Sequence, residues 1–238
     1  MNTDGTPAGP APTRPGVAAF DFDGTLTRRD TLLPFLRRTC GGHRVARAVA
    51  AATRRTRDRD VLKVAAIDQL FRGWPAERLE QLGAAYAAEL HRGLRPEVLD
   101  RLRWHQASNH AVLLVSASLG AYLRPLAQDL GIDAVLAVEL AVDGDGVLTG
   151  GVVGGANTRG PEKAARLLGW TAERFGPATD VELWAYGDSA GDAELLALAD
   201  HPSWVGRRGT PGLVHVPPRQ PGTPPVTSAA SARRRRDG

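Results

Sequence analysis

Short, wholly apolar runs alternate along this chain with longer segments whose apolar residues recur at helical spacing. Val17 to Phe22 is the first run, and it ends in acidic residues and Gly24, as a buried parallel strand and the loop after it would. From Thr31 to about His105 the pattern becomes Ala-, Leu- and Arg-rich with helical spacing. Breaks at Gly41-Gly42, Gly73-Trp74-Pro75 and Arg95-Pro96 predict an insertion of three or four helices there. Ala111 to Val115 reads as a second buried strand, followed by a Ser/Gly turn and a helix over about Gly120 to Leu130. Ala134 to Leu140 gives a third strand, and Asp143-Gly144-Asp145-Gly146 separates it from Val147 to Val153 in what can be a hairpin or flap. A helix over Gly160 to Leu168 carries Pro161 in its first turn, where the missing N–H does no harm. Val181 to Tyr186 is a further strand, Asp192 to Ala199 a short helix, and Ser203 to Gly206 a last strand.

Strands alternating with helices predict an α/β fold, a parallel sheet with helices on both faces, and ligands bound beyond the carboxyl ends of the strands. The remainder of the chain follows from composition. Beyond about Pro217 the sequence is Pro-, Ser- and Arg-rich without apolar period, and the first 16 residues read as a flexible leader lacking the basic and apolar parts of a secretory signal. Much of the net charge of +4 sits in Arg233 to Arg236, so the charge says little about the folded part. The single cysteine, Cys40, excludes an intramolecular disulfide and suits a reducing compartment, with the cytoplasm as the default. Trp104 to Leu123 lacks Asp, Glu, Lys and Arg, but its His, Gln, Asn and Ser content argues against a membrane span.

Candidate chemistry lies at the strand ends. In Asp21-Phe22-Asp23-Gly24-Thr25 a strand period of two points Asp21 and Asp23 to one side. Such a pair can divide phosphate-ester hydrolysis, one carboxylate attacking phosphorus while the other protonates the leaving oxygen and then activates water. Like charges this close call for a cation such as Mg²⁺ or a raised pKa, and Gly24 lets the backbone turn sharply beside a phosphate. Alone, the motif is more often a surface turn. Ser116 follows the second strand and can hold a phosphoryl oxygen, and Lys163 in the first turn of its helix can neutralise charge on Asp21 and the phosphoryl group. Asp188 and Asp192 are spaced to serve a metal directly or through water, although Asp192 could equally cap a helix. A turn serine, a solvated lysine and a cap are ordinary singly, but their joint occurrence at strand ends in one chain is not.

These segments resemble the haloacid dehalogenase superfamily: FDFDGTLT at Phe20 to Thr27, VSAS at Val115 to Ser118, Lys163 in GPEKA, and GDSAGDAELL at Gly187 to Leu196. The insertion between the first two motifs, DGDGVLTGGV and HPSWVGRR look like its subfamily IB, the phosphoserine-phosphatase-like branch. The resemblance implies a Rossmannoid core over 17–30 and 106–216 and a small helical cap over 31–105, while composition makes 217–238 a disordered basic tail. It also implies Asp21 as nucleophile, Asp23 as general acid/base, and Ser116, Lys163 and Gly24 around the phosphate, with Ser118 an alternative to Ser116. Mg²⁺ would be held by Asp21, Asp188, the backbone carbonyl of Asp23 and, in support, Asp192. Asp30 falls where a substrate-binding acid stands in phosphoserine phosphatases, and it could also cap the helix starting near Thr31.

The expected activity is hydrolysis of a small or lipid-linked phosphate monoester through an aspartyl phosphate; transfer to another alcohol is the alternative. Arg37 to Lys63 holds eight Arg and one Lys against Asp58 and Asp60, a surplus that could meet an anionic substrate or membrane surface but more often forms the solvated face of helices. Nucleic-acid binding through the terminal arginines is a disfavoured reading.

Overall fold

The computed structural model describes residues 14–154 and 157–206. Five parallel strands form one sheet in the order β3-β2-β1-β6-β7: β1 (Gly16–Phe20), β2 (Ala111–Leu119), β3 (Ala134–Val138), β6 (Glu182–Gly187) and β7 (His201–Trp204). Two further strands, β4 (Leu140–Val142) and β5 (Leu148–Val152), pair antiparallel in a separate hairpin.

The alternation of side chains along the central strands divides the core in two. Val17, Ala19, Leu113, Val115 and Ala185 face one way, onto Leu167 of α7 (Pro161–Phe175) and Leu195 and Leu196 of α8 (Ala193–Leu198). Ala18, Phe20, Val112, Leu114 and Tyr186 face the other. There they meet Val98 and Leu102 of α5 (Pro96–Ala107) and Leu123 and Leu126 of α6 (Gly120–Asp129). Both faces being covered explains why these strands read as unbroken apolar runs. Fully burying side chains such as Phe20 and Leu114 stabilises the fold by about 1.5–3 kcal/mol each.

The helical insertion comprises α1 (Leu32–Cys40), α2 (Gly42–Thr53), α3 (Arg59–Phe71) and α4 (Ala76–Leu90), after which α5 leads back to the sheet. The sequence breaks at Gly41, Gly73 and Arg95 fall between these helices; the break at 54–58 does not show in the sequence because no Gly or Pro marks it. It is made instead by Asp58, whose carboxylate accepts from the N–H groups of Asp60 at 2.8 Å and Val61 at 3.1 Å and so starts α3. The chain leaves the core and returns at one place, where Thr27 and Leu94 pair and Arg95 N–H donates to the Leu26 carbonyl at 2.8 Å. The insertion reaches the rest of the fold through α4 on α6 and α3 on β5.

Other boundaries differ for local reasons. The strand expected over 134–140 changes sheets at Glu139, where Val153 N–H donates to the Glu139 carbonyl at 2.8 Å. Asp143 closes the hairpin by accepting from Asp145 and Val147 N–H groups at 3.0 and 2.9 Å. Helix α7 runs on past Gly169 to Phe175, and β7 lies two residues earlier than expected. Arg14, within the expected leader, is tied to Asp180 at 2.9 Å and Asp200 at 3.1 Å. Gly16, also within the expected leader, opens β1, while residues 1–13 and the basic tail lie outside the described residues.

Candidate active site

The sheet order sets β6 beside β1, and their pairing ends with Asp21 N–H donating to the Tyr186 carbonyl at 2.9 Å. Asp21 therefore stands at the C-terminal edge of the sheet next to the loop that follows β6. After Asp21 the chain does not continue as a strand; residues 22–26 form a tight coil closed by Thr27 N–H on the Phe22 carbonyl at 2.9 Å. Gly24 makes that coil possible with a φ of 88°, and a Cβ there would overlap the Asp188 carboxylate. The coil, rather than strand periodicity, places Asp23.

Beyond β6, Asp188 lies 3.5 Å from the Thr25 hydroxyl. Asp192 turns back, its Oδ2 accepting from Ser189 N–H at 3.0 Å and the Ser189 hydroxyl at 2.9 Å, so it does cap a turn. Its Oδ1 accepts from Lys163 Nζ at 2.6 Å, and Lys163 also donates to Asp21 Oδ1. Lys163 (3% exposed) and Asp192 (1%) are buried, and Asp21 nearly so. Carboxylate oxygens of Asp21, Asp188 and Asp192 all lie within 4.8 Å of one another.

Burial dominates the electrostatics. It pushes the Asp21 carboxyl up to about 7, with the attraction of Lys163 opposing and the charge of Asp192 adding to the rise. Asp188 goes up to about 6 for the same reason, again with Asp192 adding and Lys163 opposing. Burial pulls Lys163 downward, but Asp21 and Asp192 outweigh it and hold the ammonium above its ordinary range. Three carboxylates facing one ammonium leave two negative charges uncompensated in a buried site, which is what a divalent cation would balance. The all-oxygen donor set fits Mg²⁺.

Asp23 belongs to a different constellation. Its carboxylate is not among the three clustered acids, which leaves only its backbone carbonyl for the metal role expected of it, and is bonded instead to Thr31 and Ser118. Burial raises its pKa, and the hydrogen bonds from Ser118 and Thr31 oppose the rise. Strand β2 stays extended through Ser116 to Leu119, with its register against β3 shifting between Val115 and Leu119. Ser118 N–H donates to Ser116 Oγ at 3.1 Å, which leaves the Ser116 proton available to a ligand.

Asp21, Asp23, Ser116, Lys163 and Asp192 line one cavity of about 480 Å³ beneath the insertion. Asp30 also lines it, and its Oδ2 accepts from Leu33 N–H at 3.0 Å in the first turn of α1, as a cap would. The insertion adds Leu33, Leu36, Val49, Leu62 and Lys63 to the wall, and Arg159 enters before α7. Lys63 and Arg159 were not singled out from sequence. Among abundant basic residues on helices, nothing local distinguishes one that turns inward.

The family model for haloacid dehalogenase-like hydrolases matches residues 18–197. Protein CicA of Caulobacter vibrioides is 36% identical over 205 residues, covering 83% of this chain and 89% of its own. A Bordetella pertussis protein of unknown function shares the fold at a TM-score of 0.61 and 24% identity, over 78% of this chain and 87% of that one. A probable phosphoserine phosphatase from Vibrio cholerae does so at 0.57 and 22% identity, over 78% of this chain and 54% of that one. The extent of the family match, together with strand-end carboxylates gathered around one buried lysine, makes this chain a member of the haloacid dehalogenase-like hydrolase family.

Proposed function

We propose that the protein is a Mg²⁺-dependent phosphomonoester hydrolase working through a phosphorylated Asp21. The observation that carries this reading is the cluster of Asp21 and Asp192, buried on Lys163 in the wall of the cavity that also holds Asp23, with the half-buried Asp188 beside them. Bound Mg²⁺ would supply positive charge to a phosphoryl oxygen and keep Asp21 ionised. Lys163 fixes one Asp21 oxygen, leaving the other to attack phosphorus, and Ser116 Oγ offers its proton to a phosphoryl oxygen. Asp23 delivers a proton to the departing alcohol and then takes one from the water that attacks the aspartyl phosphate, which favours hydrolysis over transfer.

The helical insertion acts in this reading as a cap over the cavity, its walls choosing the alcohol portion of the ester. Leu33, Leu36, Val49 and Leu62 give those walls an apolar face, so both polar and lipid-linked esters belong in the test. No helix among the described residues is long and apolar enough to cross a membrane, and the lone buried Cys40 suits a reducing compartment. The test is a panel of phosphoserine, histidinol phosphate, glucose 6-phosphate, phosphatidylglycerol phosphate and p-nitrophenyl phosphate, with Mg²⁺ and with chelator. We expect Mg²⁺-dependent phosphate release that Asp21→Asn abolishes; no hydrolysis of any member, or full activity in Asp21→Asn, refutes the proposal.

A further inference from the structure

Three donors converge on the carboxylate of Asp23. Its Oδ1 accepts from Thr31 N–H at 2.8 Å and from the Thr31 hydroxyl at 2.7 Å, and its Oδ2 accepts from the Ser118 hydroxyl. Each donor is itself held. The Thr31 carbonyl accepts from the Tyr86 hydroxyl at 3.0 Å, and the Tyr122 hydroxyl lies 3.2 Å from Thr31 Oγ1, which can accept from it. On the other side, Ser118 N–H is bonded to Ser116 Oγ, and the carbonyl of the same peptide, that of Ala117, accepts from Lys63 Nζ at 2.5 Å. Ser118 and Thr31 are buried, at 1% and 5% exposure.

Buried hydroxyls must find partners, and backbone carbonyls would serve as well. Here two of them, from elements far apart in sequence, are both spent on one carboxylate at the cavity wall. An aspartate free to change rotamer would reach a leaving oxygen only part of the time, and a displacement of about 1 Å can cost about 10²-fold in rate.

We propose that Ser118 and Thr31 are positioning residues that fix the Asp23 carboxyl for proton transfer to the leaving alcohol. The proposal rests on the roles assigned above to Asp21 and Asp23. As Asp21 bonds to phosphorus the ester O–P bond breaks, its electron pair goes to the alcohol oxygen, and that oxygen takes the proton carried by Asp23. A hydroxyl suits such a partner because it can donate to the carboxylate and accept from the carboxyl. An alkoxide needs that proton in order to leave, whereas p-nitrophenolate does not, so the clamp matters for alkyl esters and much less for the aryl ester.

The experiment compares kcat/KM of wild type, Ser118→Ala, Ser118→Thr and Thr31→Val on p-nitrophenyl phosphate and on whichever alkyl ester of the panel the wild type turns over fastest. Thr31→Val keeps the side-chain shape and the backbone N–H, and covers the case in which Ser118→Ala does not fold. We expect Ser118→Ala and Thr31→Val to lose about 10- to 100-fold on the alkyl ester and less than about threefold on the aryl ester, with Ser118→Thr recovering most of the alkyl activity. Equal losses on both esters would make Ser118 a phosphate-holding or purely structural residue, and no loss on either would make the clamp idle; both overturn the proposal. A wild type inert on every ester defeats the proposed function instead, which separates the two failures.

Discussion

The buried His105 makes a quantitative test of the packing between α5 and the sheet. Arg101 Nε donates to the Tyr186 oxygen at 2.6 Å, the Tyr186 hydroxyl lies 2.9 Å from His105 Nε2, and His105 Nδ1 lies 2.8 Å from His110 Nδ1. With the Tyr186 proton on the Nε2 side and the Nδ1 proton donated to His110, the imidazole is neutral and both its nitrogens are used. Burial, then the neighbouring charge of Arg101, push its pKa down to about 2. In the unfolded chain the same group titrates at about 6.5. Between those values only the unfolded state takes up the proton, so the contribution of His105 is intact above about pH 6.5 and is lost progressively as pH falls below it. At pH 5 the loss is about 2 kcal/mol, which for a chain of this size lowers Tm by roughly 4–8 °C. The assay is urea unfolding of wild type and His105→Gln at pH 7.5 and pH 5. Because other groups titrate in both proteins, the informative quantity is the difference between their two pH responses. Wild type should lose about 2 kcal/mol more than the variant. Equal responses would mean that His105 is protonated in the folded state, and the burial argument would fail.

Lys163→Met should slow hydrolysis by roughly 10²- to 10³-fold while tightening Mg²⁺ binding, because the ammonium that competes with the cation for Asp21 and Asp192 is gone; activity assays and calorimetric Mg²⁺ titration check both halves. Gly83→Ala should destabilise the fold by about 1–3 kcal/mol with little change in catalysis, since a Cβ there would overlap the Ala121 carbonyl where α4 crosses α6, and a fall in Tm with kcat retained is the expected result.

The sequence by itself determined where the strands lie and which polar residues stand at their ends. Runs such as Val17 to Phe20 and Ala111 to Val115 are apolar because both faces of the sheet are covered, so burial leaves a continuous signal. Asp21, Ser116, Lys163, Asp188 and Asp192 were legible because each directly follows such a run or opens a helix, a position fixed by local pattern. Tertiary structure alone decided what those residues touch. The placement of β6 beside β1 brings Asp188 and Asp192 to Asp21, and no local period encodes strand order. The break at Glu139 that parts the β4–β5 hairpin from β3, and the helix break at 54–58, were illegible because long-range pairing and a single capping carboxylate made them. The partners of Asp23 lay deepest: Thr31 enters α1, Ser118 ends β2, and Lys63 reaches over from α3 to Ala117. Hydrogen bonds between such residues depend on angles and distances that exist only once the chain has folded, so the place of Asp21 at a strand end could be read in one dimension while the partners of Asp23 required three.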